Sequence, residues 1–550
     1  MKKLFIALVI LVLCAIIITG CATQAPAPQV TPKPSPTTTP APASTPAPAP
    51  APTSKPAPAP TPAAPAGPQQ YGGVLTILMP SLVTTLGAPW EGGPMWGRGG
   101  RTAMENLITN DDNETIQPWL AESWKIAPDG KSITFYLRKG IKFQDGTDFN
   151  AEAVKFNLES WPAGSSGAVA LRWVTSIDVV DQYTVRLNLK QYDTFLLIQL
   201  AQSEAGMIGS PTAAKKPTTD ATRWKDHMVG TGPFKIVDVK RDEYIKFEKW
   251  DGYWQKGKPY LDGVVFRVIA DGAVRKMAFL TGEGQFLGMI EYSEADSFKA
   301  KGNTVLPTGI GNVGTLLPDG ANKDSPFANE KVRQAVEYAI DKAAMCKGIF
   351  YGYNKPAYQQ AFSTDPYFAP GLQPRDYNPS KAKQLLAEAG YPQGFKTILH
   401  SDVRGDRNVQ VALQTYLKEV GIDAELDIAD VGRYTVMATT GWKGLLLPGY
   451  PLVSNYVMVV SRFGVASYFP SMYRPAGFQD KWDSVVTQTD DGIRMDQMRQ
   501  LIKTMFENAM TVPIWENHTL DMTNGKVFDH SWTQRKNMSY WDPVNAWLRK

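Results

Sequence analysis

The chain has 550 residues, 43% hydrophobic and 11% aromatic, enough for a sizeable core and several domains' worth of structure. Its formal charge of +4 comes from Lys2, Lys3, Lys33 and Lys55; residues 1–70 hold no Asp, Glu or Arg, which leaves 53 basic and 53 acidic side chains in 71–550. A neutral body lacks the basic excess of a nucleic-acid binder. Three cysteines, only one of them (Cys346) in the body, exclude a disulfide framework and a cysteine-rich zinc site.

In chain order, Met1-Lys2-Lys3 is a short positive start, and Leu4 to Thr19 is almost wholly apolar. That run, roughly sixteen residues, suits a secretory leader better than a membrane-spanning helix, which needs about 18 or more; an uncleaved anchor is the alternative. It ends in Ile18-Thr19-Gly20-Cys21, which resembles a bacterial lipobox. In that resemblance Cys21 receives a diacylglycerol and becomes the mature N-terminus. From Gln24 to Gln70 about every third residue is proline, mixed with Ala, Thr and Ser. Such a chain cannot bury a core and lacks many backbone donors. It reads as a disordered, extended spacer, reaching on the order of 140 Å at about 3.1 Å per residue. The expected division is a leader over 1–20, a lipid-anchored linker over 21–70 and a folded body over 71–550.

The body opens with a strand at Val74-Leu75-Thr76-Ile77-Leu78. The tryptophans Trp90 and Trp96 then lie in a glycine-rich stretch read as a loop, since glycine weakens both helix and strand. Ile133, Phe135 and Leu137 alternate with Thr134, Tyr136 and Arg138 as a half-buried strand. Asp145-Gly146 marks a tight turn, and Val185, Leu187 and Leu189 alternate again. In "NEKVRQAVEYAIDKAAM", Val332, Ala335, Val336, Ala339 and Ile340 line one helix face. "NPSKAKQLLAEAG" places Pro379 at a helix start, Leu385 and Leu386 inside and Gly390 at the close. A further helix ends at Gly421, and "AELDIAD" follows as a strand. No Pro- or Gly-rich linker splits 71–550, so one α/β unit of several lobes is expected.

Two turns carry weaker signals. "GYWQKGKP" matches a phosphate loop as far as its Gly-Lys, but Pro259 stands where a magnesium-ligating Ser or Thr belongs. "VGTGPF", Val229 to Phe234, reads as a tight turn. The histidines His227, His400, His518 and His530 show no His-x-x-x-His pair, and no nucleophile elbow or zincin motif is present, so no metal, cofactor or catalytic residue is assigned.

Gln117 to Glu159 closely resembles the family 5 solute-binding proteins, the peptide, nickel and opine receptors of ABC importers. The matching residues are Pro118, Leu120-Ala121-Glu122-Ser123-Trp124, Asp129-Gly130, Phe135, Leu137-Arg138, Gly140, Lys142-Phe143, Asp145-Gly146 and Phe149. "VGTGPF", "YWQKGKPYLDGVVFRVIAD", "SPFANEKVRQAVEYAIDK" and "NPSKAKQLLAEAGYPQGF" extend the likeness, in order, over nearly all of 71–550. The resemblance implies an α/β clamshell of the periplasmic-binding-protein kind (type II, cluster C-like) with mixed sheets. Lobe I would span about 71–105, 226–315 and 515–550, an extra domain about 106–225, and lobe II about 316–514. It implies a ligand gripped between lobes, ABC permease subunits as partners, a lipid-tethered extracytoplasmic monomer and no enzymatic step. Candidate ligand residues are Trp90, Trp96, Asp319, Trp442, Tyr450 and Asn455.

One departure concerns the ligand. In "GLLLPGYPLVSNYV", Gly449 and Leu452 stand where the family's peptide receptors have acids, the first of which pairs with a peptide's α-ammonium. Either another acid substitutes, with Glu91 and Asp319 as candidates, or the ligand has no free amine. Peptides are the default ligand, neutral oligosaccharides or opine-like conjugates the next, nickel chelates a further option. A lipoprotein hydrolase and a chemosensory or adhesive protein are the readings from other classes.

Overall fold

The computed structural model describes residues 68–81, 86–91, 96–111, 115–163, 165–308, 312–449, 455–464, 468–529 and 543–550. Cys21 and almost all of the proline stretch lie outside them. The chain divides into two units, Met1–Ala64 and Pro65–Lys550, and all described residues belong to the second.

The opening apolar run forms the strand Val74–Met79. It is apolar along its length because it is interior: Gly263–Val268 pairs with it in parallel on one side and Phe286–Ile290 on the other. The full seven-stranded sheet runs Phe234–Lys240, Tyr244–Lys249, Gly263–Val268, Val74–Met79, Phe286–Ile290, Thr519–Thr523, Thr304–Thr308. A second, six-stranded sheet runs Lys355–Pro356, Val512–Glu516, Val313–Pro318, Leu445–Leu446, Phe395–Asp402, Ile422–Ala429. A third, four-stranded and antiparallel, contains Ser132–Leu137, whose Ile133, Phe135 and Leu137 are buried while Tyr136 faces solvent.

The first two sheets share two chain crossings. Thr304–Thr308 belongs to the first and Val313–Pro318 to the second; on the return, Val512–Glu516 belongs to the second and Thr519–Thr523 to the first. Each pair is antiparallel, with Thr308 opposite Thr519 and Val313 opposite Glu516. Only Asn517 and His518 separate the returning strands.

The helix Glu330–Ala339 buries Val332, Ala335, Val336 and Ala339 completely, as its spacing predicts. Full burial of each valine contributes roughly 1.5–3 kcal/mol. The helix stops earlier than the apolar face suggests. Ile340 is extended, and the Asp341 carboxylate accepts the Ala344 N–H to start a new helix, Lys342–Gly348. The break turns Lys342 into the core, 4.0 Å from Glu337, which also accepts from Arg375 at 2.9 Å. Burial pushes the Lys342 ammonium down to about 8.

The glycine-rich stretch is corrected as well. Trp96–Ala103 is an α-helix and Pro89–Glu91 a 3₁₀ turn. The helix survives three glycines because tertiary contacts hold its end: Arg101 Nη2 donates to Gln202 O at 2.6 Å. The Ile141–Phe143 segment makes one bridge, Lys142 to Asp148, around the Asp145-Gly146 turn.

One buried carboxylate joins three distant segments. Glu105, 5% exposed, accepts from Trp119 Nε1 (2.9 Å), Tyr253 Oη (2.8 Å), Thr231 Oγ1 (2.8 Å) and Trp254 Nε1 (2.9 Å). The polar groups of "GYW" are therefore spent on Glu105. "VGTGPF" is a turn of close approach: a Cβ on Gly230 would lie 2.3 Å from Ala103 O. The helix Thr194–Gln202, buried on all sides, joins two cores. Leu197 and Leu200 pack under the four-stranded sheet, Phe195 and Ile198 among the helices Phe478–Thr487 and Asp491–Glu507.

Candidate ligand-binding site

The parallel strands Phe395–Asp402, Ile422–Ala429 and Leu445–Leu446 end together, and open α/β sheets bind ligands beyond the carboxyl ends of such strands. Asp402 terminates the central one. Its carboxylate is fully buried and held by one residue: Arg404 donates from its backbone N–H (2.8 Å), from Nε (3.2 Å to each oxygen) and from Nη2 (2.5 Å). The Arg404 side chain is 47% exposed. Its hydrogen bonds to Asp402 raise its pKa further. Tyr434, whose hydroxyl burial pushes well above its ordinary pKa, places its ring 5.8 Å from the guanidinium.

The strand Leu445–Leu446 leads into Leu447-Pro448-Gly449. A Cβ on Gly449 would fall 2.1 Å from Asp402 Oδ2 and 2.9 Å from Arg404 Nη2. The space in which a side chain at 449 would begin is therefore filled by the neighbouring strand's carboxylate. The acid absent from position 449 in sequence is present beside it in space.

Leu447 and Pro448 also line a narrow pocket against the crossing strands, with Asn312, Gly314, Phe463 and Trp515. Gly314 lets the Trp515 ring lie flat on the backbone, since a Cβ there would sit 2.2 Å from the ring. Asn517 ties the two crossings together, its N–H donating to Asn312 O at 3.2 Å. His518 donates its N–H to Asn354 Oδ1 (2.9 Å), and its carbonyl accepts from Tyr292 Oη (2.5 Å). Its ring, beside Phe362 and 4.0 Å from Glu516, is lowered to about 4, first by burial and then by the charge of Lys355.

Trp90, Glu91, Asp319 and Trp442, expected from sequence, are each engaged by their neighbours. Trp90 packs edge-on against Phe156 at 5.6 Å. Glu91 is engaged by the Ala88 N–H (2.7 Å), His227 (3.0 Å) and Arg223 (3.6 Å). Asp319, 2% exposed, closes its own turn by accepting from Ser325 Oγ (2.5 Å) and Asn322 Nδ2 (2.8 Å). Trp442 is a core side chain, 5% exposed, donating to Leu317 O at 3.2 Å and packing edge-on against Phe469. Trp96 opens its helix and Asn455 begins the helix Asn455–Met458, but their side chains lie outside the described residues, as does Tyr450. Asp402 and Arg404 were not among the residues expected from sequence. The available signal was a charged Asp-x-Arg closing an alternating strand just before the Asp406 helix cap.

Among the described residues no group of three or more His, Cys, Asp or Glu could hold a metal ion, and no helix is long and apolar enough to cross a membrane.

Two sheets joined by two chain crossings, with a charged pair at the ends of one sheet's parallel strands, are the construction of a two-lobed binding protein. Residues 115–456 match the model of the bacterial extracellular solute-binding proteins, family 5, and the chain belongs to that family. It is 36% identical over 339 residues to the glutathione-binding protein GsiB of Shigella flexneri, a match covering 60% of this chain and 65% of that protein, just under two thirds of its length. Among solved structures it is similar to HbpA2 from Haemophilus parasuis, with a TM-score of 0.74 at 21% identity over 87% of this chain and all of that one. It is also similar to AgaA of A. tumefaciens in complex with agropinic acid, with a TM-score of 0.67 at 25% identity over 87% of this chain and 99% of that one.

Proposed function

We propose that the chain is the lipid-anchored, extracytoplasmic receptor of an ABC importer, capturing a peptide or related small solute between its lobes and delivering it to a permease. The observation that supports this most is the double crossing at Asn312 and Asn517-His518, which gives two sheets a two-strand hinge beside a charged site. Lobe I takes 71–105, 226–315 and 515–550, lobe II takes 316–514, and 106–225 is the added domain. Cys21 carries the lipid and the proline stretch sets the standoff from the membrane. The body works as a monomer.

The glutathione-binding relative favours a small peptide-like ligand. The agropinic-acid complex favours an opine as the second reading. The test is native mass spectrometry and small-angle scattering on the full chain. An intact small solute bound one to one, with compaction on saturation, is the expected result; turnover of the solute, or an unchanged scattering profile, defeats the reading. Cys21→Ala is expected to abolish lipid labelling, and continued acylation removes the anchor.

A further inference from the structure

The first sheet holds a strained residue whose side chain neither of its cores uses. Among the described residues, six other than glycine have a left-handed backbone, and Met289, at φ 58°, is the one inside a strand. That conformation is uncommon for a side chain with no polar group to bond locally. The strand Phe286–Ile290 bulges there: Phe286 and Leu287 stand opposite Thr523 and Met522, and the register slips before Ile290 meets Leu520. The buried Asp521 carboxylate holds the bulge by accepting the Met289 N–H at 2.7 Å. Phe286 packs in the core on one face of the sheet and Leu287 and Ile290 in the core on the other, while Met289 belongs to neither and is 41% exposed. Bulges re-aim side chains, and backbone strain that the surroundings hold in place collects at ligand sites.

The position of the bulge says what the side chain meets. Ile290 opposes Leu520, two residues beyond His518 of the crossing, and Tyr292 donates to the His518 carbonyl. Thr304–Thr308, the strand that leads out toward the second sheet, pairs antiparallel with Thr519–Thr523, as Phe286–Ile290 does. Both strands therefore run toward the second sheet, and Met289 stands at that end of the first. Resting on the receptor reading above, we propose that Met289 is a specificity residue, held outward by Asp521 so that its thioether packs on an apolar side chain of the captured solute. Methionine sets the chemical class. Unbranched and with a polarisable sulfur, it moulds to aliphatic, thioether and aromatic groups alike. The receptor thus favours solutes that carry an apolar side chain and separates the shapes of such side chains poorly. Glycine, the residue a left-handed backbone prefers, would remove the strain and the contact together.

The test uses the full chain, freed of solute by partial unfolding and refolding, with calorimetry against two series and a control. The series are glutathione, S-methylglutathione and S-hexylglutathione, and the dipeptides Ala-Ala and Met-Leu; the control is the neutral trisaccharide raffinose. In at least one series the member with the largest apolar group is expected to bind most tightly. Met289→Gly should weaken that member by about 10-fold or more and the smallest member by less than about threefold. The same variant should raise the thermal midpoint by about 1–2 °C as the left-handed strain is relieved. Met289→Leu, which keeps an apolar side chain, should hold the largest member within about threefold. Hydrogen peroxide gives a second readout by peptide-mapping mass spectrometry. The bound solute should slow sulfoxide formation at Met289 by about fivefold or more and leave Met277, 59% exposed on the helix Gly272–Leu280, unchanged. No gain from the larger group, equal losses across a series in Met289→Gly, a lowered midpoint, or no protection of Met289 overturns the proposal. Raffinose binding alone, or a co-purified solute without an apolar side chain, overturns it and leaves the receptor standing; no binding by any of these solutes, and none carried through purification, fells the receptor itself.

Discussion

Two buried carboxylates in this chain have opposite surroundings. Glu105 accepts from four neutral donors on three segments, all fixed in the fold. Asp402 is held by one residue, two positions along its own chain, with a side chain half in water. Burial alone does not separate an acid tied into the wider fold from one held by a single neighbour. What separates them is how many segments of the chain hold each one. The donors around Glu105 cannot move without dismantling the junction of Trp119, Thr231 and Tyr253-Trp254. Arg404 holds Asp402 both from its backbone N–H and from a side chain that is half exposed.

The sharpest way to break this contrast is Glu105→Gln. The amide replaces one accepting oxygen with a donor and leaves two of the four fixed donors facing it. A loss on the order of 3–5 kcal/mol is expected in denaturant unfolding; a loss below about 1 kcal/mol would make Glu105 no more structural than Asp402.

A pH titration probes a third buried group, His518 in the crossing. Its folded pKa lies near 4, below its ordinary 6.5, so the unfolded chain binds the extra proton first. Its contribution is full above about pH 6.5 and is lost as pH falls toward 4, amounting to roughly 3 kcal/mol. His518→Gln should flatten that part of the acid limb, seen by comparing unfolding free energies at pH 7 and pH 4.5.

Arg404→Gln is expected to cost about 2 kcal/mol near neutral pH, because it leaves Asp402 buried without its counter-charge. The double change with Asp402→Asn should recover most of that loss. Recovery in a double-mutant cycle marks a pair whose members matter mainly to each other; no recovery would mean that Asp402, like Glu105, is tied to the wider fold.

The smallest effect is expected from Gly449→Ala. The added methyl must push Asp402 or Arg404 aside, at about 1 kcal/mol of strain. A larger penalty would show that this edge of the site does not yield.

Much of this was legible in the sequence. The faces of Glu330–Ala339 and Pro379–Glu388, and the alternation in Ser132–Leu137, are local periodicities, and each appears as expected. The motif run from Gln117 to Glu159 was enough to name the family. The misses share a cause. The helix Trp96–Ala103 forms against its own propensity because Arg101 reaches carbonyls a hundred residues away. Trp442, expected at the ligand, is packed in the core, its indole donating to Leu317, 125 positions upstream.

The sequence by itself therefore determined the class of protein, the order of its elements and the fact that position 449 carries no acid. Only the tertiary structure decided what that absence means. Gly449 and Asp402 are 47 positions apart, on strand ends that meet only when Leu445–Leu446 pairs with Phe395–Asp402. Periodicity and capping act within a few residues and can be read along the chain. Whether a carboxylate occupies the space a missing side chain would have filled depends on strand register.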